Sequence, residues 1–158
     1  MNPSRKILFV CLGNICRSPA AENVFRNLVE REGLSTHFPC DSAGTIDYHH
    51  GKAPDARMSA TLVERGYQIQ GKARPFRTSD FQDFDLILTM DRENFEDVCQ
   101  IAPPGADLGK VQPFTDYCTQ HEHPEVPDPY YGGSAGFELV ADLMEDGCRN
   151  LLDHLRNL

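Results

Sequence analysis

Hydrophobic residues run unbroken from Ile7 to Leu12, stop at Gly13 and Asn14, and return beyond Ser18 at helical spacing. The first run predicts a strand over Lys6 to Cys11, buried on both faces. Ser18-Pro19-Ala20-Ala21-Glu22 predicts a helix start, with Ser18 as cap, Pro19 in the first helical position and a Glu in the first turn. Ala21, Val24, Phe25, Leu28 and Val29 continue one apolar face until Gly33. A short strand follows near Phe38 to Ala43, then a Gly- and His-containing loop to about Pro54 and a helix from Asp55 to Arg65, stopped by Gly66. Asp85 to Met90 is another buried strand, and Asp91 caps the helix after it. A fourth strand near Lys110 to Pro113 leads into a Pro- and His-rich loop. The last helix spans about Ser134 to Leu155, with Phe137, Val140, Leu143, Met144, Cys148, Leu151 and Leu152 on its stripe. Strands alternating with helices imply an α/β fold whose parallel sheet is covered on both sides. Ligands in such sheets bind beyond the carboxyl ends of strands, and the first strand ends at Cys11.

With no linker or repeat, 158 residues suit a single domain over 1–158. A net charge of −9 argues against nucleic-acid or anionic-membrane partners, which need a basic face. It leaves an anionic substrate open, because a site needs only local positive potential. The early apolar run is too short for a signal-peptide core or a membrane span. The six cysteines contain no CxxC pair and are expected as thiols in a reducing compartment, the cytoplasm.

The chemistry concentrates in Val10-Cys11-Leu12-Gly13-Asn14-Ile15-Cys16-Arg17-Ser18. Cysteine, five residues, arginine and serine recur by chance too often to mean much alone; here they lie between a strand and a helix start. Backbone N–H groups of such a loop form a nest for phosphate, and Gly13 and Asn14 tolerate the unusual angles this requires. Arg17 adds a planar fork for two phosphate oxygens. The helix start and the nearby cation favour a thiolate at Cys11, and the Ser18 hydroxyl is placed to donate to its sulfur. The bland reading, an inert core cysteine beside a surface arginine, leaves the Gly-Asn turn unexplained. A thiolate attacking a phosphate monoester needs an acid for the departing oxygen. Asp128, between Pro127 and Pro129 and followed by Tyr130 and Tyr131, is the candidate acid, with the tyrosines as slot walls.

Together these segments resemble the low-molecular-weight protein tyrosine phosphatase family. Val10 to Pro19 and Asp128 to Tyr131 match at the two ends. Asp41-Ser42-Ala43-Gly44-Thr45, Pro54 to Arg57, Lys72-Ala73-Arg74 and Met90-Asp91 fall between them in the family's order. The resemblance implies three layers with a central four-stranded parallel sheet and the phosphate-binding loop after the first strand. It also implies a phosphocysteine mechanism without metal or cofactor: Cys11 attacks, Asp128 protonates the tyrosyl oxygen and then activates water. Leu12, Gly13, Asn14, Ile15, Cys16 and Ser18 would shape the phosphate loop, with Asn14 braced through Ser42. Leu12, Ile15, Tyr48 and Tyr130 would line the phosphotyrosine slot. Expected partners are phosphotyrosine-containing proteins, with inorganic phosphate or other oxyanions as product or inhibitors. Tyr48 stands where the family often has Trp, and Gly71 where some members carry His.

An arsenate reductase of the same fold is the nearest rival, but the cysteine pair its relatives use is replaced by Thr89 to Phe95, leaving Cys99. An arginine-phosphatase branch tends to carry Thr at Ile15. A binding module without turnover would lack Cys11 or Asp128. Cys16 reads either as a buried apolar residue or as a redox guard that traps oxidised Cys11 in a disulfide. Cys118, His121 and His123, like His49-His50, read as solvated loop rather than a metal site.

Overall fold

A computed structural model of the chain describes residues 4–130 and 132–158. Four strands, β1 (Ile7–Cys11), β2 (Cys40–Gly44), β3 (Leu86–Thr89) and β4 (Val111–Pro113), form one parallel sheet in the order β2-β1-β3-β4. Five helices accompany them: α1 (Arg17–Arg31), α2 (Ala56–Glu64), the single turn α3 (Asp80–Asp83), α4 (Arg92–Ile101) and α5 (Ser134–Arg156). No described helix is long and apolar enough to cross a membrane.

The unbroken apolar run of β1 has a direct structural cause. Ile7, Phe9 and Cys11 enter the core beneath α1 and α5, whereas Leu8 and Val10 enter a second core with Ile87, Val98 and Val111 on the other face. In the larger core Phe9 meets Phe25 and Phe114 edge to face, at 5.8 and 6.1 Å between centroids. Helix α5 passes close above Phe114 because Gly147 has no side chain: a Cβ there would lie 2.4 Å from Phe114 Cζ.

β1 hydrogen-bonds to β2 on one side and to β3 on the other, so the chain reverses its direction of travel across the sheet at β1. That switch point opens a crevice at the strand's carboxyl end. Cys11 is the last residue of β1.

The expected cap at Asp91 is present, and Asp55, read from the sequence as the first helical residue, is itself a cap. Asp55 accepts from Arg57 N and Met58 N at the start of α2, and Asp91 accepts from Asn94 N at the start of α4, in a reciprocal capping box with Asn94. Ser18 is not a cap: α1 begins one residue earlier, at Arg17, and Cys16 precedes it without a side-chain cap. The reason lies in the loop, where the Ser18 hydroxyl is used elsewhere. The second strand is Cys40–Gly44, shifted toward the site from the expected Phe38–Ala43.

The Cys118-to-His123 stretch is also less solvated than its composition suggests. Cys118 is buried, and the backbone N–H groups of Thr119, Gln120 and His121 converge on the Asp146 carboxylate at 3.0, 2.9 and 2.9 Å. His121 and His123 are exposed.

Candidate active site

The loop from Leu12 to Cys16 is shaped by what its carbonyls do. Thr45 N donates to Cys11 O at 2.9 Å, Ile46 N to Leu12 O at 3.1 Å, and Asp55 N to Ile15 O at 2.7 Å. In a planar trans peptide the following N–H points the opposite way. With three carbonyls turned outward, the N–H groups of Leu12, Gly13 and Cys16 turn inward, over the end of β1. Gly44 permits the close approach of the flanking segment, since a Cβ there would lie 2.8 Å from Leu12 O.

Asn14 takes the left-handed conformation at φ 58°, alone among described non-glycine residues. Its buried amide holds the loop to three other segments. Oδ1 accepts from Arg74 N at 3.0 Å, which fixes the amide's orientation. Nδ2 then donates both its protons, to Ser18 Oγ at 2.8 Å and Ser42 Oγ at 2.9 Å. Because each serine accepts from Asn14, each can aim its own proton onward: Ser42 to Glu22 Oε1, and Ser18 to Cys11 Sγ at 2.9 Å, with Ala43 O a longer alternative at 3.5 Å. Asn14 N lies 3.3 Å from the same sulfur. Cys11 Sγ therefore has two polar neighbours placed to donate to it. Arg74 is itself locked by Asp80 and Asp41.

Arg17 is only 3% exposed, which excludes a surface role. Its Nη1 donates to Asp91 Oδ2 at 2.6 Å and to Val126 O at 3.1 Å, and its Nη2 lies 3.7 Å from Asp128 Oδ2. Burial opposes the guanidinium charge, but Cys11, Asp91 and Asp128 outweigh it and hold Arg17 above its ordinary value. Asp91 thus has two uses: Oδ1 caps α4 and Oδ2 orients Arg17. Val126 also donates to Met90 O at 2.8 Å, so the base of the loop carrying Asp128 is fastened to β3's end as well as to Arg17. Two residues on, Asp128 is exposed, and its Oδ1 accepts from Tyr130 N at 3.0 Å.

These groups face one cavity of about 470 Å³. Cys11, Arg17 and Cys16 form its base together with Gly13. Leu12, Ile15, Tyr48 and Tyr130 line its walls, and Asp128 stands at one side. Asn14, Ser18 and Ser42 lie behind the loop rather than in the cavity. Tyr131 falls outside the described residues. Cys16 is buried; that burial, then the charges of Asp55, Cys11 and Asp128, push its thiol up to about 12. Glu22, beneath Ser42, is raised by burial against the opposing pull of Ser42 and Arg26.

Sequence reasoning missed His49, which lines the cavity between Tyr48 and Tyr130 instead of standing in solvent. It also missed the use of Asp91 toward Arg17 and of Arg74 toward Asn14. Only Asp91 carried a signal, as a cap beside a strand end.

Comparison with known proteins agrees with this geometry. The family model described as low molecular weight phosphotyrosine protein phosphatase matches residues 6–158. A Synechocystis relative carrying the family name is 53% identical over 150 residues, 95% of this chain and 96% of the relative. The Schizosaccharomyces pombe low molecular weight phosphotyrosine protein phosphatase is 46% identical over 153 residues, covering 96% of this chain and 97% of the relative. A crystal structure of an Entamoeba histolytica protein tyrosine phosphatase superposes with a TM-score of 0.93 at 45% identity, covering 98% of each chain. On the fold, the loop at its switch point and these matches, the chain belongs to the low molecular weight phosphotyrosine protein phosphatase family.

Proposed function

We propose that the protein hydrolyses phosphotyrosine in proteins, and small aryl phosphates, through a phosphocysteine intermediate formed on Cys11 without a metal. The observation that carries this reading is the convergence of Cys11, Arg17 and Asp128 on a single cavity at the end of β1. The phosphate enters the loop and takes over Arg17 Nη2 from Asp128. Cys11 Sγ attacks phosphorus opposite the aryl oxygen, so the S–P bond forms as the P–O(aryl) bond breaks. Asp128 gives its proton to the departing oxygen. Water then attacks phosphorus, Asp128 takes the proton, and the S–P bond breaks to release inorganic phosphate and the Cys11 thiolate. Loop N–H groups and Arg17 hold the equatorial oxygens throughout, in the geometry suited to the transition state.

The slot lined by Leu12, Ile15, Tyr48 and Tyr130 would take a flat ring on a long ester, which reaches the sulfur where phosphoserine stops short. Six free thiols, with Cys11 among them, suit the reducing conditions of a cytoplasm. Cys16 is proposed as the redox guard of Cys11: peroxide converts the Cys11 thiolate to sulfenic acid, and the Cys16 sulfur displaces water from it to leave a disulfide that added thiols reduce.

The test is p-nitrophenyl phosphate turnover in EDTA, with Cys11→Ser and Asp128→Ala in parallel. Activity indifferent to EDTA, abolished by the first change and reduced about 100-fold or more by the second, is the expected result. Folded wild type without turnover, or activity restored only by added metal, overturns the reading.

A further inference from the structure

His49 is fixed by three sets of contacts. Its ring meets Tyr48 edge-on, with centroids 4.8 Å apart and planes at 89°, and lies 6.3 Å from Tyr130. A Cβ on Gly13 would come within 3.0 Å of His49 Cδ2 and 3.6 Å of Nε2. The imidazole edge that carries Nε2 therefore rests on the phosphate loop. The third contact decides the chemistry: Lys52 Nζ lies 3.3 Å from His49 Nδ1. An ammonium only donates, so Nδ1 must accept. The neutral ring then carries its proton on Nε2.

We propose that His49 is a substrate-contacting residue, whose Nε2–H donates to an outer oxygen of the phosphate monoester seated in the loop. Each outer oxygen of a dianionic phosphate offers more than one lone pair, and His49 lines the same cavity as Cys11 and Arg17. Lys52 strengthens the donor from behind: a hydrogen bond received at Nδ1 polarises the opposite N–H. Positive charge from an exposed lysine is thereby relayed to the phosphate without an ammonium entering the cavity. Lys52 also lies 5.4 Å from the Tyr48 ring centroid, so one cation braces both neighbouring walls of the slot. The identity of the monoester rests on the phosphatase reading; the anion contact is testable without it.

The experiment is ¹⁵N NMR of histidine side chains in the full chain, with His49 identified by its absence from the His49→Gln spectrum and inorganic phosphate as titrant. The expected result is an Nε2–H tautomer in the free protein and a saturable shift of Nε2 with phosphate. Lys52→Met should mix the tautomers. An Nδ1–H tautomer in wild type overturns the proposal, as does phosphate binding that leaves His49 unmoved. In kinetics, His49→Phe keeps a ring but removes the donor. Its kcat/KM on p-nitrophenyl phosphate should fall about tenfold, with partial recovery in His49→Gln, whose amide can donate. Wild-type kcat/KM in the Phe variant overturns the proposal. If wild type shows the phosphate-induced shift yet hydrolyses nothing, the phosphatase reading fails and the anion contact stands.

Discussion

Asn14→Asp is nearly isosteric, and it reverses the direction of the hydrogen-bond chain behind the sulfur. A carboxylate at this position still accepts from Arg74 N, and aspartate tolerates the left-handed conformation almost as well as asparagine. It cannot donate to Ser18 or Ser42. The Ser18 hydroxyl would turn its proton toward the new carboxylate and away from Cys11 Sγ. Loss of a donor to a charged group costs about 1.5–3 kcal/mol. The carboxylate also lies at most 5.7 Å from the sulfur, the two hydrogen bonds taken end to end. At an effective dielectric of about 20 this adds about 3 kcal/mol of repulsion toward the thiolate. Together the effects predict a fall in kcat/KM of about 10³- to 10⁴-fold. Ser18→Ala removes the donor without adding charge and should lose only about 10- to 100-fold. The assay is p-nitrophenyl phosphate hydrolysis by both variants, with thermal unfolding to verify that each is folded. If Asn14→Asp is no more impaired than Ser18→Ala, the reversal argument is wrong.

At pH 8 Cys16, pushed up to about 12, stays protonated, with a thiolate fraction of about 10⁻⁴. Brief iodoacetamide treatment followed by peptide mass spectrometry should therefore find label on Cys11 and none on Cys16; prompt labelling of Cys16 would contradict its burial. Gly147→Ala forces a methyl into the Phe114 ring. Overpacking of about 1–3 kcal/mol, offset by up to about 1 kcal/mol of helix propensity, predicts net destabilisation in urea unfolding. A variant more stable than wild type would show that α5 can shift freely. Peroxide should inactivate the enzyme reversibly, with added thiol restoring less activity in Cys16→Ser than in wild type; equal recovery would remove the guard role.

What the sequence disclosed was local. The β1 run could be read because a strand covered on both sides must be apolar at every position, and Asp91 could be read because a cap acts on residues two and three places away. Ser18 was misjudged by the same logic: a serine before Pro19 has the composition of a cap, and only the approach of Asn14 and Cys11 diverts its hydroxyl. Cys11, Arg17 and the Gly-Asn turn were visible since their spacing is set within one loop. His49 and Arg74 were not, because their partners, Gly13, Tyr130 and Asn14, meet them across folded distance. Gly147 likewise looks like a weak point in a helix until Phe114 is seen beneath it.

Val126 has a consequence for how the enzyme can move. Its N–H is tied to Met90 and its carbonyl to Arg17, and two residues of chain reach at most about 7 Å beyond that anchor. Pro127 and Pro129 stiffen that short tether further. A wide, lid-like sweep is thus denied to Asp128, which keeps a nearly fixed station beside the cavity. Under the mechanism proposed above, departing tyrosine and incoming water would need no gate to lift. Under that mechanism, discrimination among substrates falls to the depth and walls of the slot.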